Sequence, residues 1–141
     1  MLFKFLINPG CLGAVDFVDP PSGSVIANFE GTLNAATLRC NISSDQGTQI
    51  GTQWNIENFG GNPALQGVSN AAPDLFEIGG DLRPGSTTDT FFNQITILNI
   101  THDLDNVIIY CGTGVQPRQA NFTIRIYRKF NLIECLHTII S

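Results

Sequence analysis

The sequence predicts an all-β sandwich or barrel, and three observations carry that prediction. Apolar residues recur with period two in several short runs, which is the spacing of half-buried strands. No window of useful length keeps the three-to-four spacing of an amphipathic helix. Clusters of Gly, Pro, Asn and Ser separate the runs. At 141 residues, 43% apolar and 13% charged, the chain is long enough for one domain with its own core and too apolar for a charge-rich disordered segment.

The elements follow in chain order. Residues 1–14 hold a lysine and a short apolar run that Asn8-Pro9-Gly10 breaks, so they read as a degraded or incomplete leader. Pro20-Pro21-Ser22-Gly23 is a turn. "ATLRCNIS" alternates through Leu38, Cys40 and Ile42, and Ser43 through Gly47 turns the chain. "TQWNIEN" sets Trp54 and Ile56 on one face and Gln53, Asn55 and Glu57 on the other. The Gly-, Pro-, Asn- and Ser-rich stretch from Gly60 to Asp89 is expected to hold short irregular edge strands such as "DLFEIGG". "QITILNI" is apolar at Ile95, Ile97 and Ile100. "NFTIRIY" opposes Phe122, Ile124 and Ile126 to Asn121, Thr123 and Arg125. Domain limits of 15–128 follow, with 129–141 as a tail.

Cys40 and Cys111 each close an alternating run, 71 positions apart, and Trp54 lies between them. This Cys…Trp…Cys spacing resembles that of an immunoglobulin domain. "DNVIIYC" resembles the D-x-A-x-Y-Y-C signature of variable-type domains, through Asp105, Val107, Tyr110 and Cys111. "ITILNI" is similar to the pattern of the preceding strand. The resemblance covers about residues 20–128. It implies a sandwich of two antiparallel sheets with Greek-key topology and a Cys40–Cys111 bridge between the sheets. It also implies a core in which Trp54 packs on that bridge beside Leu38 and Ile109. In the chain-entropy model such a bridge contributes about 4 kcal/mol. The wide cysteine spacing favours a variable-like domain with extra edge strands.

Three features depart from the family pattern. Ile109 stands where the tyrosine of the tyrosine corner would be, which removes that hydrogen bond. The F-G-x-G of rearranged receptors is missing after Cys111. Arg83 is the one arginine in the region where a partner for Asp105 is expected.

Alternation turns Val107, Ile109 and Cys111 inward and Ile108 and Tyr110 outward. Gln53, Asn55 and Glu57 share that outer face, as do Thr123 and Arg125. In variable-type domains this face commonly pairs with another such domain. An outward tyrosine beside a β-branched residue suits an interface. The plainer alternative is that Ile108 and Tyr110 only cover a pleated surface. Three sequons, Asn41-Ile-Ser43, Asn99-Ile-Thr101 and Asn121-Phe-Thr123, point to the secretory pathway. Asn41 is expected to face outward on the other sheet and Asn99 to sit near a strand end. Asn121 is expected across from Tyr110, where a glycan would shield it.

Other functions find little support. His102 lies in the turn "THDLD" beside two aspartates, which reads as a solvated turn more readily than as a metal or acid–base cluster. No phosphate loop, nucleophile elbow or zinc spacing appears, so no enzyme, metal or cofactor is expected. Net charge is −5 with no basic run, which argues against nucleic acid and anionic membranes. "LIECLHTIIS" is too short and too polar to span a bilayer. Cys11 and Cys135 are left over. The expectation is an extracellular recognition or adhesion module, secreted or at the cell surface, that binds another protein, including another immunoglobulin domain. It could be a fragment of a receptor ectodomain. The alternative is a spacer domain with no ligand of its own.

Overall fold

The computed structural model describes residues 13–31, 33–44, 50–82 and 91–127. Among these described residues, nine strands form two stacked sheets, an all-β sandwich. In chain order they are β1 (Ala14–Asp19), β2 (Ser24–Phe29), β3 (Leu33–Ser43), β4 (Gln53–Glu57), β5 (Gln66–Gly67), β6 (Phe76–Leu82), β7 (Phe91–Asn99), β8 (Ile108–Gly112) and β9 (Ala120–Tyr127). A helical turn, α1 (Val68–Ala71), follows β5, and a 3₁₀ turn spans His102–Leu104. One sheet runs β1-β3-β7-β6 and the other β2-β9-β8-β4-β5. Strands adjacent in sequence therefore often lie in opposite sheets, as β3 and β4 do.

The alternating residues build that core. Leu38, Cys40 and Ile42 on β3, Ile95 and Ile97 on β7, Ile109 on β8 and Phe122 and Ile124 on β9 are fully buried, and Trp54 is 5% exposed. Period-two patterning is what allows both sheets to bury one face against each other. Cys40 on one sheet bonds to Cys111 on the other, with a Cα–Cα distance of 6.5 Å. Trp54 pairs directly with Cys111 across β4 and β8, and its ring lies 6.5 Å from that of Phe122. The indole thus sits beside the bridge and closes one end of the core.

Two details differ from the sequence reading. The sheets are not wholly antiparallel: β2 pairs parallel with β9. The cause lies at Pro20-Pro21-Ser22-Gly23, where the first strand breaks and the chain crosses from β1 to β2 at the edge of the other sheet. Ser24 Oγ donates to the Pro21 carbonyl, and Gly23, at φ +89°, donates its N–H to the Asn121 carbonyl. Second, β1 begins at Ala14 and pairs with Ser43, so the strand reaches into the segment set apart as a leader. The Gly60–Asp89 stretch holds the edge strands expected of it: β5 ends one sheet and β6, in "DLFEIGG", ends the other, with α1 between them. Residues 1–12 of the expected leader, the whole of the tail, Cys11, Cys135 and Arg83 lie outside the described residues. Asp105 has a partner of another kind: its Oδ1 accepts the Ile126 N–H at 2.9 Å.

The β8–β9 connection is tight. Thr113 N–H donates to the Gln116 carbonyl and Gln116 N–H to Thr113 Oγ1. A Cβ on Gly112 would overlap the carbonyls of Gln116 and Pro117, so only glycine lets this turn close on the strand. The closure places Arg118 back over β8.

Candidate protein-binding face

The register of β4, β8 and β9 fixes which side chains share the outer face of the five-stranded sheet. Asn55, Tyr110 and Asn121 form one row. Glu57, Ile108 and Thr123 form the next. Gln53 and Arg125 extend the same face, both exposed, while Asn55, Glu57, Ile108 and Tyr110 are half-buried. The structure thus brings the six residues of the expected face onto one surface.

Its centre is a polar cluster. Tyr110 Oη donates to Glu57 Oε2 at 2.8 Å, a diagonal contact between neighbouring rows. Arg118 donates to Glu57 Oε1 at 3.1 Å, and its guanidinium lies 5.5 Å from the Tyr110 ring centroid. Both carboxylate oxygens are therefore engaged, and the tyrosine is held by its hydroxyl and covered by a cation. The Tyr110 hydroxyl, followed by Arg118, holds the Glu57 carboxyl below the usual carboxylate range. Burial, followed by Glu57, pushes the Tyr110 phenol above its ordinary value. The hydrogen bond to Glu57 likewise raises Arg118. At neutral pH the cluster is a fixed anion–phenol–cation array with no group poised to exchange a proton.

Arg118 was not among the residues that the sequence pointed to. A signal was present, an arginine just past a Gly-x-Gly turn that follows the tyrosine strand. Its use depends on how sharply Gly112 lets the hairpin fold back. Arg125 faces the same way but donates to Asn106 Oδ1 at the sheet's end.

The sequons divide. Asn121 lies across from Tyr110, half-buried, with its N–H donated to Ser22 Oγ at 3.1 Å. Asn99 is the last residue of β7, half-buried. Asn41 does not face outward into solvent. It is 2% exposed, and its Oδ1 accepts the Asn93 N–H at 3.3 Å. Alternation gives Asn41 the outer side of β3. A bulge in β1 between Val15 and Phe17 shifts the pairing beside it, and the side chain is used as a buried hydrogen-bonding group. No room is left there for a glycan in the folded chain.

His102 and Asp103 are exposed on the 3₁₀ turn and, with Gly60, Gly61, Asp105 and Asn106, line an open hollow of about 260 Å³. No group of three His, Cys, Asp or Glu side chains among the described residues is placed to hold a metal ion. No helix of the described residues is long and apolar enough to cross a membrane. No protein-family model and no curated protein sequence matches this chain.

Proposed function

We propose that the chain is an extracellular, variable-like immunoglobulin domain that binds another protein through the outer face of β4, β8 and β9. The single observation that carries this reading is the Glu57–Tyr110–Arg118 cluster. An aromatic side chain is held rigid by two charge-assisted contacts in the middle of a sheet face and bordered by Ile108. Tyrosine and arginine are the residues that most often carry binding energy at protein interfaces, and pre-ordering them lowers the entropic cost of docking. The disulfide and the sequons support an oxidising compartment.

Because Asn121 is the cross-strand neighbour of Tyr110, a glycan on it and docking through this face exclude each other. The test is a binding screen against cell-surface proteins and against the chain itself, with Tyr110→Ala and Arg118→Glu beside the parent. Each variant is expected to weaken the selected partner at least tenfold, as central interface residues do. Sedimentation would show whether that partner is a second copy. Unchanged binding in both variants, or a complex joined at Tyr110 in protein glycosylated at Asn121, would overturn the reading. The spacer alternative predicts that no partner is selected at all.

A further inference from the structure

The two sheets end in four edge strands, β1 and β6 in one and β2 and β5 in the other. An edge presents unpaired backbone N–H and C=O groups, and folded chains guard it with shortness, bulges or charge. Three of these edges are guarded. β1 has its bulge between Val15 and Phe17 and carries Asp16 and Asp19. β6 carries Glu77 and Asp81. β5 is two residues long. β2 has none of these guards. "SVIANF" is uncharged and holds no proline, and it lies beside β9 in unbroken register from Ser24 to Phe29. Among the described residues its other edge has no strand neighbour.

The outer side of β2 is apolar as well. Val25, Ala27 and Phe29 are exposed there and alternate with half-buried Ser24, Ile26 and Asn28. Val25 is 59% exposed and Phe29 51%, and Tyr127, the register partner of Phe29 on β9, is 48% exposed. These are three of the six large hydrophobic side chains that stand exposed among the described residues. An open edge and an apolar outer side on one strand are what strand addition uses.

We propose that β2 pairs with β2 of a second copy, antiparallel about a two-fold axis, so that the two five-stranded sheets become one. The strand's own sequence selects that occupant. Residues directly opposite in an antiparallel pair share a face, so the two-fold must set odd-numbered residues against odd-numbered ones. Two registers do so over most of the strand. Centring on Ala27 sets each Val25 against Phe29 of the partner subunit, an aromatic–β-branched pair of the kind that stabilises sheets. Centring on Ile26 leaves Phe29 opposite Gly23 of the partner subunit, with no side chain to pack on. In the Ala27 register no like charges meet across the seam, although each chain carries a net charge of −5. A charged segment finds no counter-charge on this strand. β8 lies two places in from the edge, so the Glu57–Tyr110–Arg118 cluster stays uncovered and the pairing does not depend on docking there.

The test is sedimentation equilibrium of the full chain from about 1 to about 300 µM. All proteins carry Cys11→Ser and Cys135→Ser, so that no disulfide joins two copies while Cys40 and Cys111 keep their bridge. The parent is expected to dimerise. Ala27→Lys and Ala27→Glu, at an exposed position, are each expected to weaken the dimer at least about tenfold, because each sets like charges together at the two-fold. An equimolar mixture of the two is expected to recover the dimer, which a variant that failed to fold could not do. Phe29→Ser is expected to weaken it about tenfold through the two symmetric Val25 contacts. Tyr110→Ala is expected to leave it unchanged. A parent that stays monomeric throughout overturns the proposal, and that is the result if another segment or a different partner holds the edge. A dimer that survives Ala27→Lys, a mixture that stays monomeric, or a dimer lost in Tyr110→Ala overturns it as well.

Discussion

On the outer face of the four-stranded sheet, Thr37 meets Thr96 at 3.3 Å and Arg39 reaches Gln94 at 3.3 Å. On the outer face of the five-stranded sheet, Tyr110, Glu57 and Arg118 interlock beside Ile108. Both faces share one pleat and one alternation. The first is a ladder of small polar contacts between cross-strand neighbours. The second gathers aromatic, acidic and basic groups from two strands and a loop. Cross-strand polar pairs are enough to clad a sheet, so the richer arrangement is the one that needs a reason beyond cladding.

That contrast can be broken or sharpened, and the largest effect comes from the link between the two sheets. Replacing Cys40 and Cys111 together by Ala should cost about 4 kcal/mol, read by urea unfolding against the parent with and without reductant. Because one sulfur belongs to each sheet, both faces should be lost together. A transition in which one sheet outlasts the other would show that they are not one cooperative unit.

Next in size is Asn41, which is buried on the outer side of β3. Asn41→Ala should cost about 2 kcal/mol by orphaning the Asn93 N–H, again by urea unfolding. Site-resolved glycopeptide mass spectrometry of protein from a glycosylating host should find Asn41 unmodified, whatever the state of Asn99 and Asn121. A smaller effect is expected from the cluster itself. The folded chain holds Glu57 below its unfolded carboxylate value, so its contribution is complete above the unfolded range, about 4.3. The contribution fades as pH falls through the lower folded value. Glu57→Gln should therefore lower stability by about 0.5 kcal/mol at neutral pH and have no effect in stronger acid. A loss that persists in acid would locate the effect in packing and not in charge. Smallest of all, Thr37→Val with Thr96→Val should shift stability within about 0.5 kcal/mol and leave partner binding intact. Lost binding in that pair would move the docking surface to the other sheet.

The legible parts of the fold were those that local pattern controls. Leu38, Cys40 and Ile42, or Phe122 and Ile124, announce their buried side by period two, and the core follows from summing such runs. The sheet face of Gln53, Asn55, Glu57, Ile108 and Tyr110 follows from the same arithmetic once the hairpin turn is placed. What the pattern hid was set by tertiary context. Asn41 obeys alternation, and what lies over it decides whether it meets water. Arg118 has no periodic signature, because a turn delivers it. The shortness of β5 was hidden too, because strand length is the weakest thing to read from a Gly- and Asn-rich stretch.

The parallel seam between β2 and β9 has a temporal consequence. Ser24 is laid beside Phe122 and Phe29 beside Tyr127, so material made near the start of the described chain is completed by material made near its end. At ordinary rates of translation β2 waits on the order of ten seconds for its mate to emerge. During that interval a six-residue segment without a single charge, "SVIANF", offers its backbone and its Val25 and Phe29 side chains to any neighbouring nascent chain.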